Sequence, residues 1–324
     1  MKISVLIACH NAERTLAQTL DSLFAQTLPA DEIIIVDDGS TDGSAQVAAA
    51  YQDKGTTLIR QPNMGASNAR NTAFSASSGQ FVIFVDADDL VGAQHLEALF
   101  SRLQAEPKCV AISKWARFYH SIDEASFPSR PTEADMNPAD WIVESWRYAR
   151  PMTQSGMILI PRSLIQEHGG WNERLTLIDD FEFFARVIAR SGGVRFASNA
   201  KLYYRSGTAG SLSQRKGNQA IESEYLSLTL GTQELLDLEF SPRTKLVCAN
   251  VLQDFEYKYF PLRPDLRAKV RARVRELGGS DLKPDGPPGF QKLRSFIGWR
   301  AARLVQLAFS PLRLKKATLK RGGM

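Results

Sequence analysis

A unit repeated three times before Leu90 constrains this chain more than anything else in it: a short apolar run that ends at once in a polar or acidic cluster. Ile3–Ala8 runs into Cys9-His10-Asn11, Glu32–Val36 into Asp37-Asp38-Gly39-Ser40, and Phe81–Val85 into Asp86-Ala87-Asp88-Asp89. Short apolar runs bounded by turn residues suit strands, and Phe81–Val85 suits a strand buried on both faces. Between them Leu16, Leu20, Leu23 and Phe24 recur at helical spacing, Asp42–Tyr51 and Ala66–Ser77 also read as helices, and Thr57–Arg60 reads as a third short strand. Strands alternating with helices predict an α/β domain built on a parallel sheet. In such sheets ligands bind just beyond the carboxyl ends of the strands. All three polar clusters fall there, so the fold class itself nominates a site.

The later chain is less regular. Ser121–Asn137 is rich in Pro and acids and reads as a loop or insertion, Met157–Ile160 resumes strand character, and Asp180–Arg190 predicts a helix with Phe181, Phe184, Val187 and Ile188 on one face. Beyond Gly217 the pattern is helical, and Gly278–Gly289, with three prolines and four glycines, reads as a linker. The division expected is a catalytic domain over 1–215, a helical extension over 216–285 and a basic amphipathic tail over 286–324. At 44% hydrophobic residues in 324 the chain carries enough apolar side chains for a core. No apolar run approaches the roughly 20 residues that span a bilayer, and the N-terminus lacks a signal-peptide core, so a cytoplasmic protein is expected. Cys9, Cys109 and Cys248 have neither pairing nor metal-ligand spacing, which fits a reducing compartment. From Gly286 to Met324 there are nine Lys or Arg and no acid, so the chain's net +5 leaves the remainder at −4. Basic charge confined to a tail excludes nucleic-acid binding by the whole protein.

Three acidic clusters carry the chemistry. Asp86 and Asp88 flank a small residue, and alternation along an extended chain puts both carboxylates on one side. Two hard oxygen ligands at a strand end suit Mg²⁺ or Mn²⁺ completed by phosphate oxygens and water. Taken alone, the same pair reads equally as an acidic turn or helix cap. Asp37-Asp38-Gly39-Ser40-Thr41-Asp42 makes good turns and caps, and a carboxylate there can also accept a hydrogen bond from the imide N–H of uracil or thymine. Asp179-Asp180 precedes a Phe-rich helix, where paired acids complement the helix dipole. One of them is also placed to act as a general base, its pKa raised by neighbours such as Ile178, Phe181 and Trp171.

In this order the segments resemble the family-2 glycosyltransferases of the GT-A fold. Ser4–Asn11 is similar to their opening strand and turn, Glu32–Ser44 (EIIIVDDGSTDGS) to their second strand, and Asn63–Asn71 to the segment before the metal strand. Phe81–Leu90 (FVIFVDADDL) matches the DxD segment, Gly169–Glu173 the acceptor-side loop, Asp179–Phe183 the acidic pair, and Tyr203-Tyr204-Arg205 with Gly210–Ser213 the late loop over the donor phosphates. The resemblance covers Lys2 to Gln214. It implies a Rossmann-like, mixed but mostly parallel sheet flanked by helices, with a helical C-terminal extension. It also implies an inverting, metal-dependent transfer from a nucleotide-diphosphate sugar, UDP by default, to a glycan or lipid-linked acceptor. Carried over residue by residue, Ala8, His10, Asp38 and Gly65 would line the nucleotide pocket, with Asp38 on the base. Arg70 would support that pocket, and Asp86 would lie by ribose and metal. Asp88 would be the direct metal ligand and Arg205 would meet the diphosphate. Asp180 would be the base with Asp179 beside it.

The departures are local. The family often has Pro and Tyr where this chain has Ala8 and His10. Its acidic pair is usually Glu-Asp, so the shorter Asp179 leaves the choice of base open. A nucleotidyltransferase would need a Gly- and Arg-rich phosphate loop after the first strand and a nicotinamide dehydrogenase a GxGxxG there, and Cys9-His10-Asn11-Ala12 offers neither. A degenerate sugar-nucleotide binding or assembly protein is the non-enzyme alternative. In the tail, Phe290, Leu293, Ile297, Leu304 and Leu307 recur near helical spacing among Lys292, Arg294, Arg300 and Arg303, with Trp299 and Phe309 adding aromatics. That pattern suits an amphipathic helix on an anionic inner membrane face, and equally a helix packed on the catalytic domain.

Overall fold

The computed structural model describes residues 2–149, 151, 153–207 and 217–321, with only the backbone described for 310–321. The repeated units of the first half form β1 (Ile3–Cys9), β2 (Glu32–Asp38), β3 (Thr56–Gln61) and β4 (Phe81–Phe84). They alternate with α1 (Leu16–Phe24), α2 (Ser44–Ala49) and α3 (Ala66–Ala76). All four strands are parallel, in the order β3-β2-β1-β4, with Ala8 opposite Val36 and Leu6 opposite Phe84. β4 is buried along its whole length, as its apolar run requires. α2 is shorter than its pattern predicts. Asp42 Oδ1 accepts from the Ser44 backbone N–H at 3.0 Å, and this local bond holds Asp42 outside the helix.

The second half extends the sheet with mixed pairing. β5 (Leu90–Val91), α4 (His95–Ser101), β6 (Val110–Phe118), α5 (Pro138–Trp146), β7 (Ile158–Pro161), α6 (Arg162–His168), α7 (Asp179–Ala189) and β8 (Val194–Arg205) follow in turn. The full order is β3-β2-β1-β4-β7-β6-β8-β5. β7 runs antiparallel to both β4 and β6, while β8 runs parallel to β6. The short antiparallel pairing of β5 with β8, Leu90 opposite Tyr203, brings the end of β8 beside the acids that follow β4. β6 and β8 carry no clean sequence signal because their outer faces hold Lys, Arg and Tyr.

Four helices complete the chain: α8 (Asn218–Leu238), α9 (Pro242–Tyr259), α10 (Pro264–Glu276) and α11 (Pro288–Arg321). Ser241 and Thr244 form a capping box at the start of α9, with Pro242 at the first helical position. α8 crosses α7 at Gly231, where a Cβ would lie 2.5 Å from the Phe181 ring. One apolar core runs from Ile3 to Leu277 through both sheet and helices. The Gly278–Gly289 segment is non-helical up to Pro287 but tied down: Asn250 bonds Ser280 and Asp281, and the Tyr257 hydroxyl donates to the Leu282 carbonyl. The tail departs from a single amphipathic helix, because Gly298 (φ 75°, ψ 160°) breaks α11 into two segments. Of its apolar residues, Phe290 and Trp299 follow the packed-helix alternative: Phe290 is buried, and Trp299 meets Tyr257 and Phe260 edge-on.

Candidate active site

The first cluster is built where β1, β2 and β3 finish. Gly39 is required there twice over, since its φ is +70° and a Cβ would lie 2.7 Å from the Asn63 nitrogen. Asp38 is buried and organises the loop entering α3. Its Oδ1 accepts from Gln61 Nε2 and the Met64 N–H, each at 2.8 Å, and its Oδ2 accepts from the Gly65 N–H at 2.8 Å. One acceptor position on Oδ2 remains for a further donor. Gly65 (φ 93°) caps α3 in a conformation that side chains resist. Exposed His10 shares Nδ1 contacts with the Asp38 carbonyl at 2.9 Å and Asn63 at 3.2 Å, and Ala8 lies half-buried beneath it in β1. Asp38→Ala should strand three donors and lower stability by roughly 2–3 kcal/mol, which urea unfolding would measure.

The acidic centre follows β4. Desolvation, then the Asp86 charge, pushes the Asp88 carboxyl up to about 6, while Arg205 opposes the shift. Burial, with Asp86 and Asp88, also raises Asp89. Asp89 Oδ1 accepts from the Arg205 N–H at 2.9 Å, whereas Oδ2 is buried with no hydrogen-bond partner. The Arg205 guanidinium donates from Nε to the Asp88 carbonyl at 2.8 Å and from Nη2 to Gln18 at 2.6 Å. The Tyr204 hydroxyl is pushed up to about 12 by desolvation and by these three carboxylates. Crowded carboxylates with an orphaned oxygen fit a hard divalent cation. No group of three or more ligating side chains is assembled for one among the described residues. The donor set therefore suits Mg²⁺ or Mn²⁺, which takes one or two carboxylates and fills its shell with phosphate oxygens and water.

Arg70 joins this centre to the start of α7. Its Nη2 donates to Asp86 Oδ1 at 2.9 Å and its Nη1 to Asp179 Oδ2 at 2.8 Å, and its guanidinium lies 4.3 Å from the Trp171 ring centre. Trp171 stacks in turn on Phe183 at 4.0 Å. Other residues of α3 fix the facing loop: Asn71 bonds both backbone polar groups of Trp171, Asn68 and Asn71 bond Glu173, and Ser67 donates to Asp179 at 2.8 Å. Asp179 is thus committed to Arg70 and Ser67. Asp180 is different: among the described residues its Oδ1 accepts only from the adjacent Phe181 N–H. Desolvation, then the Asp179 charge, pushes its carboxyl up to about 7, while Arg70 opposes the shift. The turn that presents it is strained, with Ile178 at φ 56° although its side chain is β-branched. Ser227 and Ser223 of α8 hold that turn through the Ile178 and Leu177 carbonyls.

A parallel half-sheet with acidic clusters where β2 and β4 end, an Arg70 bridge from Asp86 to Asp179 at the start of α7, and a mixed second half make up the GT-A class of glycosyltransferase fold. Comparison with known proteins narrows this. The family model for glycosyl transferase family 2 matches residues 4–169, and the chain belongs to that family. It is 29% identical over 251 residues to a cholesterol galactosyltransferase of Borreliella burgdorferi, covering 72% of this chain and 67% of that protein. It is 40% identical over 137 residues to the uncharacterized glycosyltransferase EpsJ of Bacillus subtilis, covering 41% of this chain but 39% of that one. Among solved structures, residues 1–349 of S. aureus TarS in complex with UDP-GlcNAc superpose with a TM-score of 0.69 at 19% identity, covering 86% and 80% of the two chains.

The fold gathers the sequence-nominated residues in two groups. Ala8, His10, Asp38 and Gly65 form one, and Arg70, Asp86, Asp88, Asp179, Asp180 and Arg205 the other. Gly210–Ser213 lie outside the described residues. Gln154, Ser155 and Gly156, just before β7, are buried, and the Gly156 carbonyl meets His95. Sequence reasoning gave no role to Asp89, Ser67, Gln18 or Tyr204. Asp89 stood in the quoted motif, but its bond to β8 needs the β5–β8 pairing to be known.

Proposed function

We propose that this protein is an inverting, metal-dependent glycosyltransferase that moves a sugar from a UDP-sugar to an acceptor hydroxyl. The observation that carries the reading is Asp180: a carboxylate raised to about 7, free of side-chain partners in the described set and held beside the acidic centre. A base with its pKa near the working pH is suited to take a proton from a hydroxyl. As that proton passes to Asp180, the acceptor oxygen forms its bond to the anomeric carbon and the bond to the diphosphate oxygen breaks on the opposite face. A single displacement of this kind inverts the anomeric centre. In this reading Arg205 would hold the diphosphate, Asp38 and His10 the base, and Arg70, bonded to Asp86 and Asp179, would keep the two halves in register. Mg²⁺ or Mn²⁺ on Asp88 and Asp86 would neutralise charge on the leaving diphosphate.

UDP is favoured because the structural neighbour binds UDP-GlcNAc and because Asp38 keeps an acceptor position for an imide N–H. A glycan or lipid-linked acceptor is favoured by the relative whose name specifies a sterol. A cytoplasmic location, with peripheral membrane contact through residues 286–324, completes the reading. Thermal melting with UDP, dTDP and their sugars, each with Mn²⁺ or EDTA, tests the donor site. At a hundredfold excess over Kd, UDP with Mn²⁺ should raise Tm by about 5 °C, and EDTA should remove the shift. A folded sample that shifts with no nucleotide would overturn the donor assignment. Binding without transfer or donor hydrolysis would leave a degenerate binding module.

A further inference from the structure

The C-terminal helix pair carries an apolar face that the rest of the fold does not cover. Its inner side is fixed. Phe290 is buried beneath the Arg303 guanidinium at 4.5 Å, Ala302 is fully buried, and Trp299 lies 4.9 Å from Tyr257 and 5.1 Å from Phe260. Its outer side presents Phe296, Ile297, Leu304, Val305, Leu307 and Phe309, between 37% and 77% exposed. Leu304, Val305 and Ala308 adjoin at helical spacing, so the second segment offers a continuous apolar strip. Before the break at Gly298, the first segment exposes Phe296 at 77% and Ile297 at 47%.

Charge says what this face fits. Nine Lys or Arg lie between Gly286 and Met324 without one acid. At the root of the pair, Arg267, Arg271 and Arg300 all donate to the single buried Glu256 carboxylate, and the Arg271 and Arg300 side chains remain 33% and 54% exposed. A second copy docking here would set nine cations against nine, which repel. An anionic bilayer takes both features at once: apolar side chains enter the boundary between headgroups and acyl chains, and cations meet lipid phosphates. Among the described residues no helix is long and apolar enough to cross a membrane, so contact would be in the plane of the surface.

We propose that the outer face of α11 seats the protein on an anionic lipid bilayer, with Phe296, Ile297, Leu304 and Val305 as the inserted residues. The proposal deepens the peripheral contact in the functional reading above by assigning it to one face and one lipid charge. The test is co-sedimentation of the full chain with phosphatidylcholine vesicles, with and without about one third phosphatidylglycerol. Binding should need the anionic lipid and weaken as NaCl rises from about 0.1 to about 0.5 M. Phe296→Ser/Leu304→Ser/Val305→Ser should reduce it by about tenfold or more while Tm and the UDP shift stay unchanged, because these side chains face solvent. Lys315→Glu/Lys316→Glu/Lys320→Glu should lose the preference for anionic lipid. Equal binding by the triple-Ser variant, or equal binding of the wild type to neutral vesicles, would overturn the proposal. So would a wild-type dimer that the triple-Ser variant splits, without vesicle binding, since the face would then serve a second copy. Loss of the UDP shift with vesicle binding intact would count against the transferase and for the seat.

Discussion

Asp180→Asn should lower kcat by about 10³-fold while leaving UDP affinity nearly unchanged. The side chain keeps its size and its bond from the Phe181 N–H, so only the proton acceptor is lost. The wild-type pH profile should show the same group. Only the ionised carboxylate accepts a proton, and its pKa is raised to about 7, so kcat/KM should fall as pH drops through about 7. The stability consequence has the opposite sense. An ordinary Asp ionises near 4, so between about 4 and 7 the folded protein holds a proton that the unfolded chain has released, and stability falls as pH rises across that window. Above it the folded state bears the cost of a desolvated charge beside Asp179. Asp180→Asn removes that cost and should melt higher than wild type at pH 8, by on the order of 2 kcal/mol, with the difference vanishing near pH 4. A variant that retains full transfer would remove Asp180 from the role of base, and one that melts lower at pH 8 would contradict the electrostatic account.

Arg70→Met should damage fold and chemistry together. The guanidinium is buried between Asp86 and Asp179 and stacked on Trp171, so its loss leaves two partly buried carboxylates facing each other without a cation. Breaking a buried pair from one side costs roughly 3–5 kcal/mol, and Asp86 and Asp179 keep enough solvent to place the cost at the lower end. Urea unfolding should show it as a lower midpoint with an unchanged slope. Arg70 is also the charge that holds the Asp180 pKa down, so in Arg70→Met protein that remains folded the acid limb of kcat/KM should move to higher pH. Arg70→Lys, which keeps the charge but not the fork, should restore much of the pH profile while recovering little of kcat. An unchanged acid limb in both variants would show that Arg70 serves packing alone.

Much of this was legible before any coordinates. The three run-and-cluster units gave the parallel half of the sheet, and the placement of acids at its strand ends located the site without reference to distances. Strand periodicity and turn chemistry are local, which is why Ile3–Cys9, Glu32–Asp38 and Phe81–Phe84 read cleanly. β6 and β8 did not, because Lys114, Arg117, Arg195 and Lys201, half-buried or exposed, interrupt their apolar pattern. The tail shows the same limit from the opposite side. Its amphipathic spacing was visible, but neither the break at Gly298 nor the contact of Trp299 with Tyr257 was.

The sequence by itself determined the fold class, the family resemblance and the acids of the candidate site other than Asp89, because these depend on short-range pattern. Only the tertiary structure decided how the two acids of the Asp179-Asp180 pair divide. They are neighbours in sequence and alike in chemistry, yet Arg70 and Ser67 of α3 reach Asp179 and not Asp180. That difference rests on contacts more than a hundred residues apart along the chain, between a helix that follows β3 and a turn pinned by α8. No local rule carries such a contact, because it exists only once the two halves of the sheet have packed.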